Sequence, residues 1–179
     1  MANAVLVLID GFEEIEALAA VDILRRGGVN VTTASLTDSL TVTAGHDVKV
    51  EADAMFADVD AQAADILIIP GGTTAFDDHE GLKKGVAARA EADKWVAAIC
   101  AAPMVLGGLG ILEGKDATCY PGFEKYCKGA NMKAVPAVVD GKVITGRGPG
   151  WAMEFALTIL EQVTDADNAA EVRAGLLLD

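Results

Sequence analysis

The sequence predicts an α/β fold built around a covered, mostly parallel sheet. Two observations carry that prediction. Continuous apolar runs of strand length recur along the chain with amphipathic helical stretches between them, which is the pattern of βαβ units. Hydrophobic residues also make up 52% of the chain while aromatics supply only 5%. Ala, Val, Leu and Ile must therefore fill the interior, as they do where helices cover both faces of a parallel sheet. The 179 residues are enough for one domain with a substantial core. No internal repeat, low-complexity tract or Pro/Ser-rich linker divides residues 1–179.

Ala4 to Ile9 is the first such run, broken by Asp10-Gly11. Glu13 to Arg26 reads as a helix with an apolar stripe of Ile15, Leu18, Ala19, Val21, Ile23 and Leu24. Acids open it, Arg25 and Arg26 close it and Gly27-Gly28 stops it, in keeping with the helix dipole. Val29 to Ala34 supplies the second strand. Leu40 to Thr43 and Asp47 to Val50 alternate around Ala44-Gly45-His46 and predict a small hairpin. Ala64 to Ile69 is a further buried strand, followed by Pro70-Gly71-Gly72-Thr73-Thr74. A helix over Gly81 to Ala92 leads to a strand over Trp95 to Ile99 and a helix ending near Gly107. Ala117-Thr118-Cys119 starts a strand or loop. Ala134 to Val139 and Lys142 to Thr145 flank Asp140-Gly141, a two-residue hairpin signal. Helices over Trp151 to Val163 and Ala166 to Ala174 complete the chain.

Chemistry is most legible at Ala98-Ile99-Cys100-Ala101-Ala102. A small-x-nucleophile-x-small pattern between a buried strand and a helix is that of a nucleophile elbow, whose tight turn admits only small neighbours. Pro103 suits the first helical turn, and a thiol at a helix N-terminus is favoured as thiolate. The alternative is a cysteine serving as a small buried hydrophobe. Gly71-Gly72 could present amides to an oxyanion together with the amide of Ala101, or be a plain turn. Glu16 lies one turn into the first helix. There it is either an ordinary helix-start acid or a desolvated carboxyl kept protonated to donate to the thiol.

Other classes are disfavoured. With 14 basic and 27 acidic residues the net charge is −13, which repels nucleic-acid backbones and anionic membranes. No apolar run approaches the ~20 residues of a membrane span, and the first apolar run lacks the basic flank of a signal peptide. Cys100, Cys119 and Cys127 are odd in number without a Cys-x-x-Cys pair, so a reducing, cytoplasmic setting is expected rather than a disulfide framework. His46 and His79 have no zinc spacing to the cysteines. Neither a metal nor another cofactor is expected.

Five ordered stretches add a resemblance: Asp10-Gly-Phe-Glu-Glu-Ile-Glu-Ala17, Val21-Asp-Ile-Leu-Arg-Arg-Gly27, Ile69-Pro-Gly-Gly72, Ala97-Ala-Ile-Cys-Ala-Ala-Pro103 and Gly146-Arg-Gly-Pro-Gly150. Together they resemble the ThiJ/PfpI superfamily and, within it, the DJ-one branch, in register over nearly the whole chain. The resemblance implies a flavodoxin-like three-layer sandwich akin to class I glutamine amidotransferases, assembled as a homodimer. It also implies Cys100 as a readily oxidised thiol, Glu16 as its hydrogen-bonded partner, and Gly72 and Ala101 as oxyanion amides. Arg26 and His46 match basic residues near the family's dimer interface and are candidates for holding an anion beside the thiol. Their alternatives are a helix C-terminal arginine and a loop histidine. Asp22 matches a structural family residue. Cys119 is either a resolving thiol or, like Cys127, a bystander.

Two departures narrow the function. Protease-like relatives carry histidine after the nucleophile, where this chain has Ala101, so a Cys-His protease lacks its base. Glyoxalase-competent relatives place histidine before a proline beyond the elbow helix, where this chain has Tyr120 before Pro121. Losing a general acid–base partner typically lowers rate by about 10²–10⁴. The expectation is an oxidative- or carbonyl-stress protein with a low-pKa Cys100 tuned by Glu16. The alternatives are a cofactor-independent glyoxalase or deglycase acting on methylglyoxal-type α-oxoaldehydes, and a chaperone.

Overall fold

The computed structural model describes residues 1–178. Its strands are β1 (Asn3–Leu8), β2 (Asn30–Ser35), β3 (Thr41–Thr43), β4 (Lys49–Glu51), β5 (Ala54–Met55), β6 (Ile66–Ile69), β7 (Trp95–Ile99), β8 (Asp116–Ala117), β9 (Asn131–Met132), β10 (Ala137–Asp140) and β11 (Val143–Gly146). Its helices are α1 (Glu14–Arg26), α2 (Ala75–Asp78), α3 (Glu80–Glu91), α4 (Pro103–Gly108), α5 (Ala152–Val163) and α6 (Ala166–Gly175).

Seven strands form the main sheet in the order β10-β11-β7-β6-β1-β2-β5. All pairings in it are parallel except β10 with β11. The β6 strand is buried at every position and β1 at all but its first, which is why both read as unbroken apolar runs. Right-handed crossovers leave β1 toward β2 and β6 toward β7 in opposite directions, so α1 and α3 fall on opposite faces. The α1 helix packs against α5, and α5 against α6. Gly27 permits part of this contact, since a Cβ there would fall 2.4 Å from a Leu160 methyl.

The expected hairpin is present as the β3–β4 pair, apart from the main sheet. It is tied to the loop after β1 by the Gly11 amide donating to the Thr43 carbonyl (2.8 Å) and the Gly45 amide donating to that of Phe12 (2.8 Å). The strand expected from Ala134 starts only at Ala137, because Pro136 has no N–H to give a ladder. In α3 the sequence hides a fully buried Arg89. Its guanidinium donates to the carbonyls of Ala61 (2.5 Å), Ala64 (3.0 Å), Asp65 (2.8 Å) and Trp95 (3.0 Å). No helix among the described residues is long and apolar enough to cross a membrane.

Candidate functional site

Strand order reverses beside β1, where β2 lies on one side and β6 on the other. Ligand sites of open parallel sheets form beyond the strand C-termini at such a point. Three strand-end loops meet there: Asp10–Glu13 after β1, Pro70–Thr74 after β6, and the elbow after β7.

Cys100 sits on the elbow with φ 66°, the left-handed region that a non-glycine residue rarely occupies. Its backbone is held there from both sides. The Cys100 amide donates to the Gly146 carbonyl at the end of β11 (2.9 Å), and the Tyr120 amide donates to the Cys100 carbonyl (2.9 Å). The side chain is buried, with 8% of the residue exposed.

Glu16 is more deeply buried, at 1%. Its Oε2 accepts from the Gly71 amide at 2.8 Å, while its Oε1 is buried without a hydrogen-bond partner. Gly71 is what lets carboxyl and thiol come together. A Cβ there would lie 2.5 Å from the Cys100 Cβ, 2.7 Å from Glu16 Oε2 and 3.0 Å from Cys100 Sγ. Gly72 has φ +94°, and a Cβ on it would fall 2.3 Å from the Glu13 amide nitrogen. These two glycines are thus required by crowding as well as by the turn.

Sequence reasoning missed Glu13. It is the N-cap of α1 rather than its first residue, and its carboxylate accepts from the Glu16 amide at 2.7 Å. Its own amide donates to the Gly71 carbonyl at 2.9 Å. Glu13 therefore sets the position of Glu16 and ties α1 to the glycine loop. The acids opening the helix were a visible signal, but an N-cap glutamate is unusual beside Ser, Thr, Asp and Asn.

The electrostatics correct one expectation. Burial pushes the Cys100 thiol up, and the adjacent Glu16 charge and hydrogen bond add to it, raising it to about 12. Hydrogen bonds from the Ala101 and Gly72 amides pull the other way. The thiol is therefore not of low pKa. The helix behind it is too short to reverse this, since α4 runs only from Pro103 to Gly108 and few aligned peptides make a weak dipole. Glu16 is pushed up to about 7 by burial, with hydrogen bonding from Gly71 and Cys100 opposing the rise. The pair thus holds a thiol against a carboxyl that gains and loses its proton near neutrality, with two amides facing the sulfur.

The remaining candidates divide. Tyr120 adjoins the elbow through its backbone, and its half-exposed ring lies over Gly148, where a Cβ would come 3.1 Å from a ring carbon. Arg26 is not brought to the thiol within the chain. It closes α1, ten residues from Glu16, or about 15 Å along the helix axis, and pairs with Asp22 at 2.6 Å. His46 lies against Glu14, with Nδ1 3.1 Å from Oε2, and its amide donates to the same carboxylate at 3.2 Å. Glu13, Glu14 and His46 place ligand-type atoms within 4.8 Å of one another. These donors already serve the α1 cap and the Glu14–His46 pair, which fastens the β3–β4 turn to α1.

The model of the DJ-1/PfpI family matches residues 2–162. Protein DJ-1 homolog B of Arabidopsis thaliana is 39% identical over 94% of this chain. The chain spans only about two fifths of that relative's length, 40%. Protein dj-1beta of Drosophila melanogaster is 35% identical, with 98% of this chain and 97% of that protein covered. The crystal structure of Drosophila DJ-1beta superposes with a TM-score of 0.95 at 34% identity, covering 99% of this chain and 98% of that one. A structure described as Toxoplasma gondii DJ-1, oxidized, gives a TM-score of 0.94 at 32% identity, with 99% and 98% covered.

Proposed function

The chain belongs to the DJ-1/PfpI family, and from that premise we propose that it is a cysteine-based oxidative- and carbonyl-stress protein in which Cys100 reacts and Glu16 moves its proton. The observation that carries this reading is the convergence of one thiol, one buried carboxyl and two amides around Gly71. A bystander cysteine needs neither the φ of 66° nor a carboxyl pushed up to about 7 beside it.

As carboxylate, Glu16 is a local base for a thiol too weakly acidic to ionise alone. When the sulfur attacks a peroxide oxygen, the O–O bond breaks and the thiol proton passes to Glu16. Glu16 returns it to the departing hydroxide, leaving a sulfenic acid and water. A second peroxide gives the sulfinic acid, whose oxygens suit the Gly72 and Ala101 amides and a protonated Glu16. A relative with a structure described as oxidised supports this direction. Mass spectrometry after graded peroxide tests it. Cys100 should oxidise ahead of Cys119 and Cys127, and equal rates at all three would sink the reading.

A second reading is favoured by the same near-neutral carboxyl, since a group that titrates near pH 7 serves as both base and acid. The thiol would add to an α-oxoaldehyde carbonyl, its proton going to Glu16 and the oxyanion to the Gly72 and Ala101 amides. Turnover of methylglyoxal by the wild type but not by Cys100→Ser or Glu16→Gln would establish it, and equal rates in all three would exclude it. The absence of a histidine at 101 or 120 argues for slow turnover. A homodimer fits the exposed Ile15 and Leu18 on α1, and sedimentation would measure it. A reducing cytoplasmic setting fits the three free thiols.

A further inference from the structure

A non-glycine residue keeps a φ of 66° only where its surroundings over-determine it, and Cys100 sits between two jaws. One is Gly146, whose carbonyl accepts from the Cys100 amide, and the other is Tyr120, whose amide donates to the Cys100 carbonyl. Packing fixes the first jaw. A Cβ on Gly146 would lie 2.7 Å from a Phe155 ring carbon and 2.8 Å from Ile99 Cγ1, so the end of β11 is wedged between α5 and β7. The second jaw stands in a loop beyond β8, a strand of two residues, and the Tyr120 ring is half exposed. Thr118 joins the two. Beyond the β8–β9 ladder its amide donates to Thr145 Oγ1 at 2.9 Å, and its hydroxyl donates to the Val135 carbonyl at 3.1 Å. Thr118 and Thr145 are 0% and 1% exposed, so water cannot stand in for either partner. Thr145 directly precedes Gly146 on β11, and Thr118 precedes Tyr120 by two residues. One buried hydroxyl oxygen therefore ties the loop jaw to the strand jaw. Valine would suit the same slot on a covered strand, so packing alone does not call for a hydroxyl there.

We propose that Thr145 is a positioning residue for the elbow thiol, its hydroxyl oxygen closing the clamp that holds Cys100 in the left-handed region with its sulfur beside Glu16. The role rests on the reading of Cys100 as the reacting group, and it is exerted through Thr118 and Tyr120. Thr145→Val keeps the shape of the side chain but leaves the buried Thr118 amide without an acceptor. The Tyr120 segment then parts from β11, and the Cys100 carbonyl loses its donor. The elbow relaxes toward an ordinary φ, which swings the sulfur away from the Glu16 carboxyl and from the Gly72 and Ala101 amides. Thr145→Ser keeps the oxygen and with it the clamp.

Amide hydrogen exchange resolved by NMR on the whole chain reads the clamp independently of any reaction. In the wild type the Cys100, Thr118 and Tyr120 amides should open as one unit, with equal protection and equal urea dependence. In Thr145→Val the Cys100 and Tyr120 amides should exchange roughly tenfold faster or more, beyond any change in β1 and β6, and in Thr145→Ser they should not. Alkylation of Cys100 by iodoacetamide, followed on tryptic peptide 95–115, supplies the second readout. Its pH profile should carry an inflection near the Glu16 value of about 7 in the wild type and Thr145→Ser, and lose it in Thr145→Val. A merely structural threonine would lower the protection of all amides together and leave that inflection in place. The proposal is overturned if exchange in Thr145→Val rises only in step with β1 and β6, if serine fails to restore it, or if the inflection survives the valine. Should valine prevent folding, the wild type still decides, since a Thr118 amide that opens far more readily than those of Cys100 and Tyr120 overturns the clamp. A wild type without the inflection refutes Glu16 as the local base, and the exchange rates then decide the clamp alone.

Discussion

Replacing Glu16 by glutamine should change how stability depends on pH more than it changes stability itself. An unfolded glutamate titrates near 4.5, whereas in the fold burial pushes Glu16 up to about 7. Between these values the folded state keeps a proton that the unfolded state has lost. Stability therefore falls as pH rises through that window and is constant on either side of it. A shift of this size corresponds to about 3 kcal/mol at 1.36 kcal/mol per pH unit. Glutamine cannot titrate, yet its carbonyl oxygen can still accept from the Gly71 amide, so the geometry survives. Cys100, pushed up to about 12 in the wild type, remains a thiol there throughout, and in Glu16→Gln its burial still pushes it up. Urea unfolding at a series of pH values from 4 to 8 reads the effect, because titrating groups that do not interact with Glu16 cancel in the difference between the two proteins. Glu16→Gln should match the wild type near pH 4 and exceed it by about 3 kcal/mol at pH 8, roughly 1–2 M in urea midpoint. A difference that stays constant with pH would refute the desolvated carboxyl. A difference of opposite sign would show that the amides hold Glu16 as carboxylate.

Gly71→Ala should destabilise by about 1–3 kcal/mol, since its Cβ meets the Cys100 Cβ at 2.5 Å and backbone-adjacent atoms cannot move aside. It should also slow peroxide oxidation of Cys100 relative to Cys119 by prising thiol from carboxyl, which the same mass spectrometry reads. Arg89→Met leaves the carbonyls of Ala61, Ala64, Asp65 and Trp95 without their buried donor. A loss of about 3 kcal/mol and a Tm lower by roughly 10 °C are expected in calorimetry. Glu14→Gln should bring the His46 pKa, raised above 6.5 by the hydrogen bond and charge of Glu14, back toward that value in an NMR titration.

What could be read from the sequence follows the physical reach of each signal. Ala4 to Ile9 and Ala64 to Ile69 declared themselves because strands covered on both faces must be apolar throughout. Asp140-Gly141 declared the β10–β11 turn because few residues accept its backbone, and Gly141 indeed has φ +58°. By contrast β5, β8 and β9 have two residues each and exist only because a neighbouring strand offers hydrogen bonds, so no periodicity marks them. Cys100 was visible through its small neighbours, which report a crowded turn directly. The elevation of its pKa was not visible, because it depends on how deeply a carboxyl from another segment is buried beside it. Arg89 sits in a helix whose other polar residues face solvent, and nothing local distinguishes it.

The anchoring of Cys100 between Gly146 and Tyr120 also has a kinetic meaning. The site draws on α1, the loop after β6, the elbow, the Tyr120 segment and the end of β11, so its contacts span most of the chain. Contacts of such long sequence separation form late, after the loop-closure entropy of a parallel sheet has been met. A partly folded chain would carry the thiol without its carboxyl, its amides or its cover, open to any alkylating reagent. Pulsed thiol labelling during refolding would therefore time the docking of β11 onto β7, with Cys100 serving as the chain's own clock for completion of the sheet.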